Sequence, residues 1–132
     1  MVQNAETGRA GNDYGYKTAF QVAQLLGAKL LGKNSNEAIL KGEKVVLKSA
    51  RKKTSSIGVT PRMRERIKFI IVALENMDDS YDLYRIEIDW FESKMYKSQS
   101  KTANGTMLVS CKDIRTEGKK LASNILSFKR KC

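Results

Sequence analysis

At 132 residues with 41% apolar content, the chain is long enough to bury one core and too apolar to be disordered throughout. It carries 25 lysines and arginines against 14 acids, a net charge of +11, and no histidine. That excludes His-based zinc sites, Ser-His-Asp triads and imidazole acid–base catalysis, leaving carboxylates, lysine or an oxygen-ligated metal.

No apolar run reaches the length of a membrane-spanning helix. The N-terminus lacks the apolar stretch of an export signal, which predicts an intracellular, cytoplasmic protein. Cys111 and Cys132 form neither a zinc pattern nor a disulfide framework. The positive charge is concentrated, with ten basic residues and two acids between Lys41 and Lys68. Such clustering is the electrostatic footprint of phosphate contacts and points to a nucleic-acid partner.

Residues 1–15, with Gly8, Gly11 and Gly15 and few apolar positions, read as a flexible arm ahead of one domain over 16–132. Ala19, Ala23, Leu26 and Leu30 recur at helical spacing and predict a helix from Tyr16 to Leu31, ending near Gly32. Glu37–Leu40 and Glu43–Ala50 read as a strand pair joined by a hairpin turn at Lys41-Gly42. A basic loop from Arg51 to Ser56 follows, and Ile57-Gly58-Val59 makes a short third strand. Thr60 as cap and Pro61 at the first helical position start a second helix. The stripe Met63, Ile67, Ile70, Ile71, Leu74 and Met77 carries it to Glu75 or Met77. Tyr81 to Phe91 alternates apolar and polar side chains, as a half-buried strand does, with Tyr84 and Trp90 on its core face. Asp82, Glu87, Asp89 and Glu92 are its solvated acids. Gly105–Cys111 reads as another strand, and Leu121, Ala122, Ile125 and Phe128 predict a C-terminal helix. The fold class is α/β or α+β: a small mixed β-sheet flanked by helices, in the order helix-strand-strand-strand-helix-strand, with a strand and a helix appended.

The chemistry gathers on the hairpin. Glu37 opens its first strand and Lys48 lies near the end of its second. An acid and a lysine at one sheet edge are the minimal equipment for metal-assisted attack on a phosphodiester. A Mg²⁺ held by carboxylate oxygens lowers the pKa of water and neutralises charge, while the lysine orients the nucleophile. Positions 44, 46 and 48 share a face on a regular strand, so residue 46 is the one that joins Lys48. That residue is Val46, and Glu43 lies on the opposite face. Arg51, Lys52 and Lys53 form a basic loop beside this edge. Arg62, Arg64 and Arg66 crowd the first turns of the second helix, where the dipole disfavours cations, so a bound anion is expected there.

Glu37, the Gly turn and the Val46-Leu47-Lys48 triplet together resemble the restriction-endonuclease-like, or PD-(D/E)XK, nuclease superfamily over roughly residues 16–92. The resemblance implies a core of helix, three-strand meander, helix and further strand. It implies that Glu37 is the metal-ligating carboxylate of the catalytic site, that Lys48 is the catalytic lysine, and that Mg²⁺ is the cofactor. It further implies a DNA partner in preference to RNA, and a homodimer. The motif departs from the superfamily at Val46; on the first helix, Gln21 and Gln24 are the side chains available to stand in. One function class is therefore a Mg²⁺-dependent endodeoxyribonuclease or a catalytically weakened relative. The other is a non-catalytic basic DNA- or RNA-binding protein, which the valine favours. A ribosome- or nucleoid-associated role rests on charge alone.

Overall fold

The computed structural model describes residues 17–32, 36–97 and 105–125. The arm expected over residues 1–15 and Cys132 lie outside the described residues. Helix α1, described over 17–26, stops short of Leu31 because Gly27 takes a φ of +76° and the Ala28 N–H returns to the Ala23 carbonyl at 2.8 Å. Lys29–Leu30 form strand β1 in place of a last helical turn.

Strands β2 (Glu37–Leu40) and β3 (Glu43–Ala50) make the expected hairpin. Lys41 and Gly42 both take positive φ, +52° and +82°, the signature of a type I′ turn whose twist matches its strands. Strand β4 (Ser56–Val59) leads into helix α2 (Pro61–Arg66), where the Thr60 hydroxyl accepts the Met63 N–H at 3.3 Å.

The helix expected to continue to Glu75 or Met77 ends at Ile67, which is extended at φ −114°, ψ 157°. Phe69–Glu75 is instead strand β5, with every residue buried. A run in which nearly all positions are apolar satisfies a helical stripe and a two-faced buried strand equally well, so periodicity alone does not separate them. Strand β6 (Tyr81–Glu87) stops where its ladder with β5 stops, at the Phe69–Glu87 pair. Helix α3 (Ile88–Lys94) takes the rest of the strand expected to reach Phe91.

Strands β7 (Tyr96–Lys97) and β8 (Met107–Ser110) precede helix α4 (Cys111–Glu117), capped by the Ser110 hydroxyl accepting the Asp113 N–H at 3.0 Å. Strand β9 (Lys119–Ile125) replaces the expected C-terminal helix over its described part. Its register with β6 shifts twice, and Ala122 and Ile125 both pack on the same core, a spacing that imitates a helix.

The described strands form a six-stranded sheet in the order β1-β2-β3-β5-β6-β9, and β4-β8-β7 form a smaller one. Only β3 and β5 run parallel in the larger sheet. The mixed sheet with flanking helices is as expected, but the order differs: β5 lies between α2 and β6, and β4 leaves the main sheet. Helix α1 covers one face through Ala19, Val22 and Ala23, over Val45, Leu47 and Phe69. The smaller sheet with α3 and α4 covers the other, where Ile57, Val109, Phe91 and Ile114 meet Val46 and Ile70. Among the described residues no helix is long and apolar enough to cross a membrane.

Candidate functional site

Glu37 pairs in register with Val46, so their side chains stand on one face of the hairpin. Lys48, two residues along β3, shares that face. Glu37 and Lys48 are therefore diagonal neighbours, about 7–8 Å apart in ordinary sheet geometry. They lie on the side covered by the smaller sheet, away from α1.

The connection from β3 to β5 brings α2 against this corner, and Arg66 in its last turn donates to the Glu37 carboxylate through Nη2. The Glu37 side chain is only 14% exposed. Burial pushes the Lys48 amine below the ordinary lysine value of 10.5. No carboxylate among the described residues pairs with it.

Val46 is fully buried and offers no ligand atom. Among the described residues no three His, Cys, Asp or Glu side chains gather into a metal-binding group. Among the described residues this corner holds one carboxylate, already bound by an arginine, whereas Mg²⁺ requires several oxygen ligands in a near-octahedral set. The residues present do not fit a resident Mg²⁺. Gln21 sits on α1, against the opposite face, with a buried Oε1 that has no hydrogen-bond partner.

Of the basic residues expected to meet phosphates, Lys52, Arg64 and Arg66 are engaged by carboxylates of the protein. The Lys52 ammonium is bound by Asp79, and that hydrogen bond is the main cause of its raised pKa. The Lys52 N–H also donates to Glu75 Oε1 at 3.0 Å, so the β3–β4 turn is clipped to the β5–β6 turn. Arg64 donates to the Val59 carbonyl at 3.4 Å and faces Glu92 at 3.7 Å. Arg66 holds Glu37. At the end of α2, the anions beside Arg64 and Arg66 are thus Glu92 and Glu37. Arg51, Lys53 and Arg62 are exposed. Asp82, expected on a solvated face, is instead buried: it accepts from Asn76 Nδ2 at 3.0 Å and faces Lys120 at 3.5 Å. Trp90 packs on the core and donates its indole N–H to Glu117 at 3.1 Å.

Two cations escaped the sequence reading. Strands β4 and β8 pair antiparallel from Ser56–Ser110 onward, and the Cys111 N–H donates to the Ser55 carbonyl at 2.8 Å. That pairing sets Lys112 and Arg115 of α4 around one cavity with Arg51, Lys52 and Lys53. No local motif announces it, because the neighbours come from distant parts of the chain. Buried Cys111 also lines this cavity, and burial pushes its thiol above the usual range.

No protein-family model matches the chain, and no curated protein matches it.

Proposed function

We propose that this chain is a DNA-binding protein of the restriction-endonuclease-like class, whose hydrolytic centre is weakened by valine at position 46. One observation carries the reading: Glu37, Val46 and Lys48 stand together on one face of the β2–β3 hairpin, next to a basic turn. With β4 set apart in the smaller sheet, the remaining order of α1, the β1-β2-β3 meander, α2 and parallel β5 resembles the core that the superfamily implies. A phosphodiester lying over Lys48 supplies the counter-charge its amine lacks, and Arg51, Lys53 and Arg62 are exposed to neighbouring phosphates. Glu37, held by Arg66, orients that arginine in the free protein.

The test is duplex binding by fluorescence anisotropy across a salt series, paired with plasmid nicking in Mg²⁺ or Mn²⁺. The expected result is metal-independent binding that weakens steeply with salt, wild-type nicking close to background, and more cutting after Val46→Glu. No salt-dependent binding to duplex DNA would overturn the reading. Robust wild-type nicking in Mg²⁺ that disappears in both Glu37→Ala and Lys48→Ala would also overturn it, in favour of an active endonuclease.

A further inference from the structure

The turn after β3 and the start of α4 line an open cavity of about 530 Å³. Its lining includes five cationic side chains, Arg51, Lys52, Lys53, Lys112 and Arg115, and no carboxylate. Lys52 is paired with Asp79, but cations gathered around one concavity still favour an anion there, because the concavity focuses their field. Lys52 and Arg115 are held in place. Lys52 is tethered to Asp79, and Arg115 donates to Asn76 Oδ1 and the Glu75 carbonyl, each at 2.9 Å. The Arg115 partners are neutral, so they fix the guanidinium without cancelling its charge. Lys53 and Lys112 are exposed at the rim.

Position matters as much as charge. Ala50, part of the lining, is two residues beyond Lys48 on the same face of β3, about 7 Å along the strand. The volume falls within the range of about 300–1,000 Å³ usual for small-ligand pockets, enough for a phosphate with its sugar.

We propose that this cavity seats a backbone phosphate and its sugar from the nucleic-acid strand whose neighbouring phosphate meets Lys48, with Lys112 and Arg115 as its contacts. The inference rests on the DNA-binding reading and adds α4 to the surface that holds the strand. Loss of one phosphate contact lowers the slope of log affinity against log salt by about one.

The experiment measures that slope with a fluorescent duplex for the full chain, Lys112→Gln, Lys53→Gln and, as a control on distant β1, Lys29→Gln. The first two variants change exposed side chains and are expected to fold as wild type, which circular dichroism checks. The expected result is a slope reduced by about one in Lys112→Gln and Lys53→Gln and unchanged in Lys29→Gln. Salt-dependent binding by wild type with an unchanged slope in Lys112→Gln overturns the cavity assignment alone, whatever Lys53→Gln does. An equal drop in the control makes the effect one of diffuse charge and overturns it too. No salt-dependent binding by wild type removes the underlying DNA reading. Inorganic phosphate is the second probe: if it shifts the Ser55 and Lys112 amide resonances while the duplex leaves them unmoved, the cavity takes a free anion and the proposal fails.

Discussion

Arg66, the last residue of α2, donates to the carboxylate of Glu37, the first residue of β2. The contact joins the crossover between the parallel strands to the hairpin edge, and it occupies the acid that a nuclease would present to a metal. Its structural and functional roles are separable by experiment.

Arg66→Ala leaves a mostly buried carboxylate without its arginine and is expected to cost about 1 kcal/mol, more than a fully exposed pair would. Urea unfolding measures it. An unchanged midpoint would mean that solvent or another group replaces the arginine at no cost.

Lys48 gives a pH signature. Its folded pKa is depressed by burial, while the unfolded chain titrates near the ordinary 10.5. Between those two values the unfolded state binds more protons than the native state, so stability rises with pH across that window. Below the folded pKa both states are protonated, and the native state bears the full desolvation penalty. Lys48→Met is therefore expected to melt higher than wild type at pH 7, with the gap narrowing as pH approaches 10.5. A gap that stays constant or widens contradicts a desolvated amine.

Phe91 on α3 is fully buried among the residues that join the small sheet to the large one. Phe91→Ala removes that plug, and a cavity-forming truncation of this size costs about 3–5 kcal/mol. Chemical denaturation reads the loss directly. A cost below about 1 kcal/mol would mean that α3 packs only loosely on the sheet.

Cys111 is buried and its thiol is pushed up by that burial, so little thiolate is present at neutral pH. In a Cys132→Ser background, the remaining thiol is expected to react with a colorimetric disulfide reagent far more slowly in native buffer than in urea. Equal rates would place Cys111 at an accessible, fluctuating surface.

How much was legible follows from what each segment had to satisfy. The hairpin was readable because Lys41-Gly42 interrupts two short β-like runs, and its register follows from a turn of fixed length. Face parity along β3, which joins Val46 to Lys48, followed from the period of a strand. Strand β5 was misread because a strand buried on both sides has no polar face to reveal its period. Strand β9 was misread because its register shifts put Ala122 and Ile125 on one side at helical spacing. The cationic cavity had no local signature at all, since the β4–β8 pairing creates it. The carboxylate partners of Lys52, Arg64 and Arg66 were hidden for the same reason: each comes from a distant segment.

The type I′ turn at Lys41-Gly42 also sets which chemistry faces which compartment of the molecule. Lengthening it by one residue and slipping β2 by one place would rotate Glu37 beneath α1, among Ala19, Val22 and Leu47. Ala38 would then occupy the corner beside Lys48, and Arg66 would lose its acid. A change in the loop, remote from every charged group at the corner, would thus erase the acid–lysine pair while leaving both residues in the chain.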